Sequence, residues 1–359
     1  VGDKTGISWT DATWAPARGC SRISEGCRNC YAERIAARFS DPGQPFHGFA
    51  VRHTAPRDSL DRVGGRRAGW TRKVELQPDQ LAIPLRWKKG RRIFCSSMTD
   101  IFHENLTNEQ IAAVFGVMAA CPQHTFQVLT KRARRMREWF LWSADMPAPT
   151  RRYEPRPHAC WELARYAIRA TGMPIESSVW NSDMLDRVHE IRWPLLNVWL
   201  GVSVENQEAA NERIPELLAT PAAVRFLSCE PLIGEVDLHA IQIPDATSGL
   251  RFSALQHQHD DRFGQSDRVI DWVISGCESG PGARHCEVSW LRSLRDQCAA
   301  ASVPFFLKQA SCGCNPCDEF CPIQFGPGSK RKAGGVIELP YLYGVQHAAF
   351  PVAPSGGMP

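Results

Sequence analysis

The chain has 359 residues, 43% hydrophobic and 22% charged, with a formal net charge of +4. This is a globular composition, long enough for one large core or two ordinary ones, and it excludes wholesale disorder. Apolar runs stay below the roughly 18 residues that suggest a membrane helix, and the opening Val-Gly-Asp-Lys-Thr-Gly has no apolar signal core, so a cytoplasmic protein with no membrane partner is expected.

The first strand is expected near Trp14–Arg18, just before Cys20. A helix follows from about Cys30, because Tyr31–Phe39 holds neither Gly nor Pro. Arg92-Ile-Phe-Cys-Ser-Ser reads as a buried strand. Thr107–Ala120 reads as an amphipathic helix, with Ile111, Val114, Phe115 and Met118 at helical spacing and Thr107 as its N-cap. Thr125-Phe-Gln-Val-Leu-Thr is the next strand, then Asn197-Val-Trp-Leu-Gly-Val-Ser-Val. Helix Gln207–Ala219, strand Val224–Cys229, strand Asp271–Gly276, helix Val288–Ala301 and strand Pro304–Gln309 complete the series. Most of these strands are apolar on successive residues, as strands covered on both faces are. Strand–helix alternation implies parallel βαβ units and a complete or partial α/β barrel.

Two segments break the rhythm. Residues 142–192 hold several prolines around a predicted helix at His158–Ala170, and residues 241–268 are polar. Both read as insertions on a barrel face, suited to a lid or a substrate-binding element. The organisation is therefore a barrel over 1–310 and a cysteine-rich extension over 311–359, with no internal repeat.

Basic residues gather at Arg62, Arg66, Arg67, Arg72 and Lys73, at Arg86–Arg92 and at Lys131–Arg137. Such clusters can follow a phosphate backbone or simply form solvated faces and helix ends. Of the 14 cysteines, Cys95, Cys121, Cys160 and Cys229 sit in apolar runs and read as small buried hydrophobes. Those that bunch read as metal or cluster ligands.

The first bunch is Gly19-Cys20-Ser-Arg-Ile-Ser-Glu-Gly26-Cys27-Arg-Asn-Cys30-Tyr31, three thiols spaced C-x6-C-x2-C on one loop. Thiolates are soft ligands for iron–sulfur clusters or zinc. The glycines permit the tight turns that wrapping such a group needs. A closed structural site takes four protein ligands, whereas three leave one position open for a reactive ligand. A zinc knuckle completed by a distant His or Cys is the other reading.

With this loop at the start of an α/β chain, the sequence resembles the radical S-adenosylmethionine superfamily. It resembles more narrowly a phage-associated branch with an N-terminal three-cysteine motif. The stretches that carry the narrower resemblance are Ile7-Ser-Trp9-Thr-Asp-Ala-Thr-Trp14, Ser96-Ser-Met-Thr-Asp100-Ile-Phe-His103, Phe126-Gln-Val-Leu-Thr-Lys131-Arg, Gly201-Val-Ser-Val-Glu205-Asn-Gln, Leu227-Ser-Cys-Glu230-Pro-Leu and Glu278-Ser-Gly-Pro-Gly-Ala-Arg284. The loop departs from the commonest superfamily spacing, C-x3-C-x2-C, and places Asn29 rather than an aromatic before its third cysteine, with Tyr31 after it.

The resemblance implies a partial (β/α)6 barrel with its ligand at the C-terminal strand ends. It implies a [4Fe–4S] cluster on Cys20, Cys27 and Cys30 that binds S-adenosylmethionine, and a reductant such as flavodoxin or ferredoxin. Carried over position by position, it picks out Tyr31, Ser97, Thr99, Asp100, Lys131, Ser203, Glu205, Glu230, Glu278 and Arg284 as cofactor contacts. The carboxylates would hold ribose hydroxyls or the ammonium group, and Lys131 or Arg284 the carboxylate.

The second bunch, Cys312-Gly-Cys314-Asn-Pro-Cys317-Asp-Glu-Phe-Cys321, packs four thiols into ten residues. It suggests a closed site holding zinc or a second iron–sulfur cluster, with Cys277, Cys286 and Cys298 as substitute members. The leading expectation is a radical enzyme acting on a substrate in the barrel mouth, where the basic clusters and 12 Trp suggest DNA, RNA or a nucleotide. The alternative is a non-catalytic, zinc-stabilised nucleic-acid-binding protein. A zinc nuclease or deaminase ranks below both, since neither H-x-E…P-C-x-x-C nor H-E-x-x-H occurs.

Overall fold

Seven runs become parallel neighbours in one sheet: β1 (Ala12–Trp14), β2 (Arg92–Cys95), β3 (Thr125–Thr130), β4 (Val198–Ser203), β5 (Val224–Cys229), β6 (Trp272–Gly276) and β7 (Phe305–Ala310). Their order in the sheet is their order in the chain, the winding of a barrel rather than of a doubly wound sheet. Two short antiparallel strands, β8 (Lys330–Arg331) and β9 (Ile337–Glu338), extend the far edge beyond β7. The sheet curls into an open half barrel. The computed structural model describes residues 5–54, 66–144, 159–171, 193–243, 250–256, 269–280, 282–311, 322–324, 327–331, 336–343 and 345–351.

α1 (Tyr31–Arg38) packs on the strand pair Ala50–Thr54 and Arg66–Trp70, and the convex side is covered by α2 (Asn108–Ala119), α3 (Ala133–Ala144), α4 (Ala159–Thr171), α5 (Gln207–Ala219) and α6 (Val288–Ala300). α2 starts on a capping box: the Gln110 backbone N–H donates to Thr107 Oγ1 at 3.3 Å, and the Thr107 N–H donates to Gln110 Oε1 at 3.0 Å. Every residue from Ile111 to Ala119 is buried, because α4 packs against α2 from outside and adds Leu163 and Ala167 to the same core. The described part of the 142–192 insertion therefore buttresses the helical layer instead of capping the barrel. α3 was not expected; its apolar face of Met136, Trp139 and Phe140 is interrupted by three arginines. No helix was found between β5 and β6 among the described residues. That crossover instead carries a two-residue hairpin, Ile241–Gln242 with Arg251–Phe252.

The first strand also differs from expectation. Ala12–Trp14 pairs with β2, while Ala17–Arg18 pairs antiparallel with Glu75–Leu76 in a separate ladder. Pro16 lies between them, and a proline cannot donate to a continuing ladder. Another hairpin, Ala50–Thr54 with Arg66–Trp70, stands between α1 and β2.

Inside the curl, Trp9, Phe94, Trp199, Phe226, Trp272 and Phe306 form a separate aromatic core. Trp9 and Phe94 lie 4.7 Å apart, and Trp272 lies within 5.8–6.3 Å of Trp9, Trp199, Phe226 and Phe306. This aromatic plug fills the barrel below the strand ends. Cys95, Cys121 and Cys229 are fully buried, while the Cys160 side chain lies outside the described residues. Among the described residues no helix is long and apolar enough to cross a membrane.

Candidate active site

The strands exchange apolar for polar side chains at their C-terminal ends, and a cavity opens there above the aromatic plug. Its volume is about 270 Å³. Cys20, Cys27 and Cys30 all line it, and none is disulfide-bonded. The loop that carries them makes one 3₁₀ turn at Glu25–Cys27, and Cys30 is the N-cap of α1.

Two glycines fit the loop against the barrel. Gly19 has φ +92°, and a Cβ there would collide with the Lys73 carbonyl oxygen. Gly26 presses on Glu205, whose carboxylate a Cβ would overlap. Glu205 sits just beyond β4 and receives a hydrogen bond from Ser24 Oγ at 3.0 Å, another from Arg213 Nη1 at 2.8 Å, and an ion pair from Lys131. Burial alone would raise its carboxyl; the Lys131 and Arg213 cations outweigh that and hold it below the usual range.

The other side of the loop is fastened to the end of β6. Asn29 Nδ2 donates to Glu278 Oε2 at 2.9 Å, Arg284 pairs with the same carboxylate, and Arg284 Nη1 donates to the Glu25 carbonyl at 2.9 Å. Burial again opposes ionisation of Glu278, and the Arg284 and Asn29 hydrogen bonds reverse it. Further ties run from Thr99 Oγ1 to the Gly19 carbonyl at 2.6 Å, from Arg132 Nη2 to Ser21 Oγ at 2.8 Å, and from Arg22 Nε to the buried Glu33 at 2.9 Å. Ser21 Oγ and His103 Nε2 are 2.9 Å apart.

The cofactor contacts expected from the sequence divide into two groups. Tyr31, Ser97, Thr99 and Asp100 line the cavity, as do Lys131, Ser203, Glu230 and Glu278. Glu205 and Arg284 lie outside its lining and brace the cysteine loop from behind. Asp100 spends its acceptors on the Phe102 N–H at 3.0 Å, Thr130 Oγ1 at 2.8 Å, the Lys131 N–H at 3.1 Å and Arg132 Nη1 at 3.2 Å, which locks the β2 end to the β3 end. Tyr31 donates from its hydroxyl to the Ser97 carbonyl at 3.0 Å. Glu230 faces Lys308, with Nζ 3.2 Å from Oε1.

Lys308 and Asn29 were missed by the sequence reading. A charge inside the apolar run Phe305–Gln309 is the signal for Lys308, since a lysine is rarely buried without a partner. The cavity also reaches Cys277, buried at the end of β6. Cys312, Cys314, Cys317 and Cys321 lie outside the described residues.

Burial and the Asp100 carboxylate push the Cys20 thiol up to about 12, and burial pushes Cys30 up as well. Protein groups alone thus favour the neutral thiols of Cys20 and Cys30, and a cationic group is what would ionise those two. Among the described residues no group of three His, Cys, Asp or Glu side chains is placed to hold one metal ion.

The third basic cluster is interleaved with acidic and amide partners. Arg132 pairs with Asp100 and Glu104, Arg134 with Glu138, Arg137 with Glu216, and Arg135 donates to Asn108. Arg92 pairs with Asp11, and Lys73 with Glu75. Arg62 lies outside the described residues, as do the side chains of Arg66 and Arg67.

Residues 4–322 match the family described as "Protein of unknown function (DUF5131)". Comparison with curated proteins and with solved structures gave no match.

Proposed function

The chain belongs to the DUF5131 family of proteins of unknown function, and from its own residues we propose that it is a radical S-adenosylmethionine enzyme with a barrel of that type. The observation that carries this reading is the meeting of three thiols from one loop with polar strand-end residues around a single cavity. The donor set fits a four-iron cluster. Cys20, Cys27 and Cys30 would hold such a cluster through soft thiolates and would leave one position for S-adenosylmethionine. When bound there, the cluster would supply the electron that splits S-adenosylmethionine into methionine and a 5′-deoxyadenosyl radical able to take a hydrogen atom from a substrate.

The chain's own residues supply position and enclosure. Glu205 and Glu278 hold the cysteine loop at its two flanks. Ser97, Thr99, Lys131 and Ser203 face the cavity as hydrogen-bonding groups for a polar cofactor. The aromatic plug closes the cavity from below and keeps water from entering through the barrel.

Anaerobic reconstitution with iron and sulfide, followed by dithionite and S-adenosylmethionine, should release 5′-deoxyadenosine. A fully loaded cluster that yields none, or a purified protein carrying zinc alone in this loop, overturns the proposal.

A further inference from the structure

Resting on that reading, we infer that the Glu230–Lys308 pair is the floor of a nucleobase site and that the substrate is a nucleotide, free or as one unit of a strand. The other charged groups at the strand ends fasten the cysteine loop or one another. Glu205, Glu278, Glu33 and Arg132 each bond to loop residues. Glu230 and Lys308 both line the cavity, and their polar contacts are with each other and with Ser228.

The pair sets a donor beside an acceptor. Lys308 Nζ is 3.3 Å from Glu230 Oε2 in hydrogen-bond geometry. Glu230 Oε1 is closed to solvent beside Gly276 and 3.2 Å from Nζ, so Oε2 and the ammonium group are what the pair can offer a ligand. The pairing edge of a nucleobase carries an acceptor and a donor on neighbouring atoms, and a base outside a helix is read through that edge.

The rest of the cavity suits the remainder of a nucleotide. Tyr31 and Trp70 line it with aromatic rings, the surface on which bases stack. Arg34 lines it near Gly280 and has no acidic partner among the described residues, which leaves its guanidinium for a phosphate. A free amino acid would also match the two opposite charges, but it would leave the aromatic wall and Arg34 without a role.

The test is an anaerobic fluorescence titration of the full, cluster-loaded chain, in the presence of S-adenosylmethionine. The titrants are the four deoxynucleoside 5′-monophosphates, their nucleosides and free amino acids. At least one monophosphate should saturate the protein. Lys308→Met should weaken that binding by roughly tenfold or more, and Lys308→Arg, which keeps an N–H donor, should retain it. Arg34→Gln should weaken the monophosphate and not its nucleoside. Saturation by no monophosphate, equal binding by Lys308→Met, or preference for an amino acid overturns the inference. Iron content and 5′-deoxyadenosine are measured on the same sample. Product without nucleotide binding sinks this inference alone, and nucleotide binding without product sinks only the radical reading.

Discussion

The concave side of the half barrel changes character within one strand length. Below, Trp9, Phe94, Trp199, Phe226, Trp272 and Phe306 meet ring to ring. Above, Asp100, Lys131, Glu205, Glu230, Glu278 and Lys308 meet as hydrogen-bonded charges. Aromatic packing is only weakly directional and holds the strands together whatever lies above it. The charge pairs are directional, and most of them bind a loop that contributes little to the core. Packing and the proposed chemistry thus fall to different layers of the same strands, the division that barrel folds permit.

The strongest way to break this division is to remove the three thiols. A Cys20→Ala, Cys27→Ala, Cys30→Ala variant should lose one cluster's worth of iron and sulfide and all 5′-deoxyadenosine, yet melt close to the metal-free parent. Unchanged iron content would move the chemistry away from the rim. Next comes the plug. Trp272→Ala should cost about 3–5 kcal/mol in urea denaturation, and a cost below about 1 kcal/mol would mean that the rings are not a core.

Glu205→Gln sharpens the contrast, because it keeps the shape and removes the charge shared by Lys131 and Arg213. It should cost about 1–3 kcal/mol and speed hydrogen exchange at residues 24–27. Uniform exchange rates across the loop would show that Glu205 does not fasten it.

Acid should act first on three histidines, His103 at the rim and His124 and His347 away from it, all held below 6.5 chiefly by burial. His103 is held below its usual 6.5 chiefly by burial and then by Arg132. The unfolded chain therefore takes up that proton first, and stability begins to fall below about pH 6.5. Glu205 and Glu278 are held below their usual 4.5. Their contribution is present above pH 4.5 and is lost as pH falls through their lower folded values. Unfolding curves from pH 7 to 3 check this, and the lower part of the decline should flatten in Glu205→Gln. The smallest effect is expected at Arg134→Ala, which breaks an exposed pair with Glu138 and should stay within about 0.5 kcal/mol.

The strands were legible because each is a short apolar run between helical patterns. Val224–Cys229 was placed to the residue. The capped start of α2 was equally visible in Thr107 and Gln110. What failed has physical reasons. α3 hid behind Arg134, Arg135 and Arg137, which drew attention to charge while Met136, Trp139 and Phe140 made the buried face. The three thiols could be found from spacing, but the partners of their loop could not. Ser24 meets Glu205 and Asn29 meets Glu278 across most of the chain, and no local pattern encodes such a pairing.

The anchoring of the cysteine loop also fixes when it can mature. Its ties join residues 181, 249 and 259 positions apart in the chain. A ribosome-bound fragment ending before β4 has the thiols but neither carboxylate to hold them. The thiols are thus synthesised before the carboxylates that hold their loop, and the loop is fastened only once β6 has docked.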